Sequence, residues 1–273
     1  VFFLCLPDHV RYGLTISAKV AAADVVVGDN SSRDAVISRL HVFEESSVAY
    51  QYILFDLDDT LFDFPADQAL ALALQHYSVT LTAELLADYQ ALNHALWQQY
   101  NVGEIDAQTL KAARFSVLAP LAGTDPLTLN ARFLQEILAC SQPLRGVEQT
   151  LSRLHGRVGL GIITNGFADV QRARLNRSRL DRYFDFMLIS EEEGVTKPDP
   201  RIFLSALTRM PDVSAEDVLM VGDNPGTDVA GATAAGMDSC WFNLRHQRIA
   251  VQATHVIEEF EQLLGLPRIQ PLL

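Results

Sequence analysis

The stretch YILFDLDDTLFDF, residues 52–64, decides how the rest of the chain reads. An apolar run ending in Leu54 and Phe55 leads directly into four carboxylates, Asp56, Asp58, Asp59 and Asp63. A short apolar run closed by polar residues predicts a buried strand. Like charges crowded at its mouth repel one another, so something must offset them. Asp56 and Asp58 are two apart, and strand alternation starts them on the same face. At the carboxyl end of a parallel strand such a pair suits a hard divalent cation with oxygen ligands. Two turn-forming aspartates are the plainer alternative.

Working outward, VGLGIIT (158–164), FDFMLIS (184–190), DVLMVGD (217–223) and SCWFN (239–243) read as further buried strands. Helix-length segments, 167–180, 200–210 and 225–236, separate the later ones. That alternation predicts an α/β fold with a Rossmann-like parallel sheet and helices on both faces. Residues 64–156 break the rhythm: they hold no convincing strand, and Leu85, Leu86, Tyr89, Leu92 and Leu96 recur at helical spacing. Asp125 followed by Pro126 forms a helix start, with N-cap and first-turn proline. The reading is a helical cap of roughly four helices over about 66–142, inserted in a core made of 48–65 and 143–273. A module entering after the first strand would overhang the strand carboxyl ends, where open α/β sheets bind ligands.

The first 47 residues fit neither part. YGLTISAKV and ADVVVG are weak strand-like runs without partners, and DNSSRD reads as a turn. No Met precedes Met187. Two expectations follow for this extension: an initiation site assigned upstream of a true start at Val48, or a tail with a regulatory or interaction role.

Bulk properties narrow the function. The chain has 273 residues, 49 % of them hydrophobic, and 21 basic against 34 acidic side chains give a net charge of −13. Nucleic-acid polymers are repelled by such a surface. Cys5, Cys140 and Cys240 are scattered and odd in number, which argues against a disulfide framework or a zinc site and for a reducing, cytoplasmic setting. No run approaches the roughly 20 apolar residues of a membrane span, and VFFLCLP at the start is too short and lacks the basic lead of a signal peptide.

Three further motifs fall at strand carboxyl ends. In IITNGF, Thr164, Asn165 and Gly166 offer a hydroxyl, an amide and freed backbone N–H groups to an anion, ahead of a helix start; an ordinary strand-to-helix turn is the alternative. In GVTKPDP, Lys197 is flanked by rigid residues, and could neutralise both a phosphoryl group and the acidic cluster; most loop lysines are simply solvated. In MVGDNPGTD, Asp223 is placed as a second cation ligand, and Asp228 could hold Lys197 or a metal-bound water from behind. Asn224 before Pro225 is equally a helix cap.

Together, DLDDT, TNG, KPDP and GDNPGTD resemble the four signatures of the haloacid dehalogenase superfamily of phosphotransferases, over residues 48 to about 264. Within it, YSVTLTAELLADYQALNHALWQQY, GIITNGFADVQRARL, YFDFMLISEEEGVTKP and AGMDSCWFN are similar to the bacterial pyrimidine 5′-nucleotidases that dephosphorylate dUMP and dTMP. The resemblance implies that Asp56 is the nucleophile, forming an aspartyl-phosphate, and that Asp58 protonates the leaving alkoxide and then activates water. It implies Mg2+ held by Asp56, the backbone carbonyl of Asp58 and Asp223, with Thr164, Asn165 and Lys197 on the phosphate oxygens and Asp228 behind. An acid at Asp58 separates the chain from the metal-free dehalogenases of that superfamily. The expected partner is a small phosphomonoester.

Substrate choice is expected from the cap, where Asn93, Trp97, Tyr100 and Arg114 could reach a base or sugar. Trp97 lies near the Leu92/Leu96 stripe and reads equally as packing, and Arg114 reads equally as a surface ion pair. A phosphatase or mutase of small sugar phosphates is the alternative within the same chemistry. A binding protein that keeps the fold without the chemistry is the alternative outside it.

Overall fold

The computed structural model describes residues 49–273. The expectations for the extension and for Val48 lie outside these residues. Six parallel strands form one sheet: β1 (Tyr52–Phe55), β2 (Gly159–Thr164), β3 (Phe186–Ile189), β4 (Val218–Gly222), β5 (Asp238–Phe242) and β6 (His255–Ile257), in the order β3-β2-β1-β4-β5-β6. Five of these were legible as apolar runs. β6 was not, because three residues, HVI, present too short a pattern; it pairs at the edge through Phe242 and Ile257.

β1 is central, and both of its faces are covered. Ile53 and Phe55 point into one cluster with Leu160, Ile162, Leu219 and Val221. Leu54 points into the other with Ile163, Met220, Ile202 and Phe203. Burial on both faces is why the strands are continuously apolar rather than alternating. The register pairs Phe55 with both Ile162 and Val221. Asp56, Thr164 and Asp223 are therefore brought to the same edge.

Between β1 and β2 lie α1 (Ala66–Gln75), α2 (Ala83–Asn101), α3 (Ala107–Ala113), the single turn α4 (Leu118–Leu121), α5 (Pro126–Cys140) and α6 (Val147–Leu154). α1 and α5 pack through Leu70, Leu74, Leu129, Phe133 and Ile137, joined by Phe115 from the turn after α3. α5 begins where its sequence signals a start: the Asp125 carboxylate accepts from the N–H groups of Leu127 at 3.1 Å and Thr128 at 3.0 Å. α2 starts at Thr82, whose hydroxyl accepts from Leu85 N–H.

The chain enters and leaves this helical insert through two linkers that pair with each other. Asp63 N–H donates to Gln142 O at 3.0 Å, and Gln142 N–H returns to the Asp63 carboxylate at 2.5 Å. Ser141 Oγ donates to Asp63 O at 2.7 Å.

After β2 come α7 (Ala168–Ser178), α8 (Ser190–Glu193), α9 (Pro200–Leu207) and α10 (Ala230–Ala234). The segment read as one helix from 225 opens instead with a wider turn over Pro225–Val229, capped by Asn224. Among the described residues no helix is long and apolar enough to cross a membrane.

Candidate active site

The acidic run at the end of β1 finds its counter-charge in Lys197. Its Nζ donates to Asp56 at 2.5 Å and to Asp228 at 2.6 Å, and all three side chains are buried. Burial works against the ammonium, but the charges of Asp228 and Asp56 outweigh it and hold the Lys197 pKa above the ordinary lysine value. The loop carrying Lys197 is clamped by Asn165, whose amide accepts from Lys197 N–H at 2.8 Å and donates to Lys197 O at 2.9 Å. The Asn165 side chain is thus spent on the lysine loop, leaving its backbone for a ligand.

Asp228 is set behind Lys197. Its second oxygen accepts from Asn224 N–H at 3.0 Å. Gly222 makes room for it: a Cβ there would stand 2.2 Å from Asp228 Oδ2. Asp223 is oriented through its backbone, with N–H donated to Thr60 Oγ1 at 3.0 Å and its carbonyl accepting from Trp241 Nε1 at 2.9 Å.

Carboxylate oxygens of Asp56, Asp223 and Asp228 come within 4.8 Å of one another. Burial, followed by the charges of Asp56, Asp228 and Asp59, pushes the Asp223 carboxyl up to about 9. Burial also raises Asp56 to about 7, against the pull of Lys197. No side chain among the described residues hydrogen-bonds the Asp223 carboxylate. An all-oxygen donor set, too acidic for its one lysine, fits a hard divalent cation.

Asp58 goes elsewhere. Although it starts on the same face as Asp56, its carboxylate belongs to a different group of side chains. Oδ2 accepts from Gln171 Nε2 at 2.8 Å, and Oδ1 is paired with Arg174 Nη1. Gln171 also reaches Thr164 Oγ1 at 3.3 Å, which in turn accepts from Gly166 N–H at 3.1 Å. Sequence reasoning missed Gln171 and Arg174. Their signal is a polar pair three apart, flanked by Val170 and Leu175, on the buried stripe of α7.

Above these groups lies a cavity of about 330 Å³ lined from below by Asp56, Asp58, Thr164, Lys197 and Asp223, and from the insert by Tyr89, Asn93, Trp97 and Arg114. Arg114 is no surface ion pair. It is buried, donates from Nε and Nη2 to Asn130 Oδ1 at 2.9 and 2.5 Å, and has no carboxylate partner among the described residues. Its guanidinium lies 5.0 Å from the Phe133 ring centre and 5.2 Å from that of Phe167. Trp97 both packs and lines the cavity, stacking on Phe167 at 5.5 Å. Tyr100 turns away, with its hydroxyl 3.2 Å from Ser190 Oγ. Tyr89, read as part of an apolar stripe, has a buried hydroxyl without a hydrogen-bond partner among the described residues, and so has the Asn93 amide oxygen.

A family model for haloacid dehalogenase-like hydrolases matches residues 50–236. The chain is a haloacid dehalogenase-like hydrolase. Relatives of this hydrolase include the pyrimidine 5′-nucleotidase YjjG of Escherichia coli, 40 % identical over 79 % of this chain and 98 % of that one. The pyrimidine 5′-nucleotidase PynA of Streptococcus pneumoniae is 34 % identical over 79 % of this chain and 94 % of its own length. Among solved structures, the HAD-hydrolase YfnB of Bacillus subtilis, bound to magnesium, superposes with a TM-score of 0.70 at 31 % identity, covering 80 % of this chain and 98 % of that one.

Proposed function

We propose that the hydrolase is a magnesium-dependent 5′-nucleotidase acting on pyrimidine nucleoside monophosphates through an aspartyl-phosphate. The observation that carries this reading is a single cavity with two chemistries. Its floor brings the Asp56 carboxylate to a buried lysine beside Asp223 and Thr164; its roof is lined by Tyr89, Asn93 and Arg114, and the Tyr89 hydroxyl and Asn93 amide oxygen are buried with no hydrogen-bond partner among the described residues. The nucleotidase relatives point the same way.

Lys197 holds one oxygen of Asp56 and leaves Oδ2 to attack phosphorus in line. As the new Asp56 O–P bond forms, the bond from phosphorus to the nucleoside O5′ breaks, and that oxygen takes the proton of Asp58. A water then attacks the same phosphorus and gives its proton to Asp58, and the Asp56 O–P bond breaks to release phosphate. Thr164 Oγ1, the Asn165 backbone and Lys197 bind the non-bridging oxygens. Asp56, Asp223 and the Asp58 carbonyl would hold Mg2+, which neutralises phosphoryl charge when bound.

At the roof, a flat base slides against Trp97 and Phe133. Arg114 and Tyr89 donate to its carbonyl oxygens, and the Asn93 carbonyl takes a ring N–H. A uracil or thymine edge supplies both. Leaving buried polar groups unpaired is what a poor ligand costs, so a purine or hexose is disfavoured. The test is phosphate release, with Mg2+, from 5′-monophosphates of uracil, thymine, cytosine and adenine and from hexose phosphates. Fastest turnover on hexose phosphates, or isomerisation without release, would sink the proposal.

A further inference from the structure

Arg174 is a buried cation with every donor engaged. A guanidinium carries five N–H bonds. Here Nε donates to Ser141 Oγ at 3.0 Å, and Nη2 to Ser141 Oγ at 2.8 Å and to Asp63 O at 3.0 Å. Nη1 donates to Gln171 Oε1 at 2.8 Å and to the Asp58 carboxylate. The plane of the group is held by Phe62 and Phe64, whose ring centres lie 4.8 and 5.8 Å away.

Its partners divide in two. One edge grips Asp58, directly and through Gln171. The other grips Asp63 and Ser141, which are the two linkers at the point where they cross between core and insert. Ser141 Oγ itself donates to Asp63 O, so the linkers reach the guanidinium already joined. A rigid planar fork transmits position from one edge to the other; a lysine, a point charge on a flexible stem, does not.

We propose that Arg174 is a positioning residue that fixes the Asp58 carboxyl to the paired linkers, so that proton transfer by Asp58 depends on how the insert is joined to the core. The inference rests on Asp58 being the proton donor of the reading above. Displacing a catalytic group by a fraction of its reach costs proton transfer more than phosphate binding, since Lys197 does not bond Arg174 and Thr164 meets it only through the long 3.3 Å bond from Gln171.

The experiment measures single-turnover release of two leaving groups with Mg2+: nucleoside from a pyrimidine 5′-monophosphate, whose alkoxide needs a proton, and nitrophenolate from p-nitrophenyl phosphate, which departs without one. Arg174→Gln is expected to slow nucleoside release about 30–100-fold with KM nearly unchanged, and nitrophenolate release less than about 3-fold. Ser141→Ala, which removes the linker acceptor and leaves Arg174 in place, is expected to show the same selective loss at about 5–10-fold. It carries the test if Arg174→Gln does not fold. Equal loss for both leaving groups, or none, overturns the assignment. Full recovery in Arg174→Lys, or a selective loss in Arg174→Gln without one in Ser141→Ala, overturns the dependence on the linkers. A wild-type protein that releases nitrophenolate but no nucleoside refutes the substrate reading instead, and the same comparison then runs on glycerol phosphate.

Discussion

Replacing Asp223 with Asn is expected to stabilise the protein without metal and to abolish its stabilisation by magnesium. The folded carboxyl, raised to about 9 by burial and then by Asp56, Asp228 and Asp59, stays protonated at pH 7, while the unfolded chain, with an ordinary value of 3.8, ionises it. Because the folded form binds the extra proton, stability without metal falls as pH rises from about 4 to about 9. At pH 7 three decades separate the unfolded value from the medium, and at ~1.4 kcal/mol per decade the ceiling is ~4 kcal/mol. Water reaching this rim group lowers it, and an asparagine in its place should recover ~1–3 kcal/mol, a rise in Tm of roughly 3–10 °C for a fold of this size. Thermal melts in chelator at pH 5, 7 and 9 should show wild-type Tm falling with pH and the variant's falling less. With Mg2+ the wild type should regain stability, ~2.7 kcal/mol at a hundred times Kd, and the variant little. A lower Tm for the variant in chelator, or an undiminished magnesium shift, would refute the reasoning.

Other consequences can be checked with simpler measurements. Gly222→Ala places a Cβ 2.2 Å from Asp228 Oδ2; the displaced carboxylate releases Lys197, and kcat should fall at least about 100-fold. Arg114→Met keeps the volume against Phe133 and removes the donors, so KM for a pyrimidine nucleotide should rise about 10–100-fold while p-nitrophenyl phosphate turnover stays within about 2-fold. Asp125→Ala removes the α5 cap and should lower Tm by roughly 2–4 °C in a thermal melt while leaving activity at 25 °C unchanged.

The sheet was largely legible because a strand buried on both faces is a short apolar run, and each of the first four ends in a polar break. Asp56, Thr164 and Asp223 were legible as candidates for the same reason, since they follow or close those strands; Lys197 lies beyond α8 rather than at the end of β3, and only its rigid flanking residues singled it out. What the sequence hid were partners supplied by tertiary contact. The segment 167–180 reads only as helix-length, and nothing in QRARLNR marks which side is buried until Val170, Gln171, Arg174 and Leu175 are seen to share one face. Arg114 looked like a surface cation because its acceptor, Asn130, comes from another helix 16 residues on. Asp58 looked like half of a metal pair because spacing fixes where a side chain starts and not which group captures it.

The paired linkers also define a seam for transplantation. Ser141 and Asp63 are 78 residues apart in the chain and meet in space at 2.7 Å, so a foreign helical segment could be grafted between them at little cost in loop closure. The graft would bring new roof-lining side chains over an unchanged cavity floor. It would work only if the donor segment preserved the hydroxyl at 141 and the carbonyl geometry at 63, since these are what the recipient's guanidinium recognises. Exchange of specificity in this scaffold is therefore constrained at two junction residues in addition to the contacts that Tyr100 makes with Ser190 and Trp97 with Phe167.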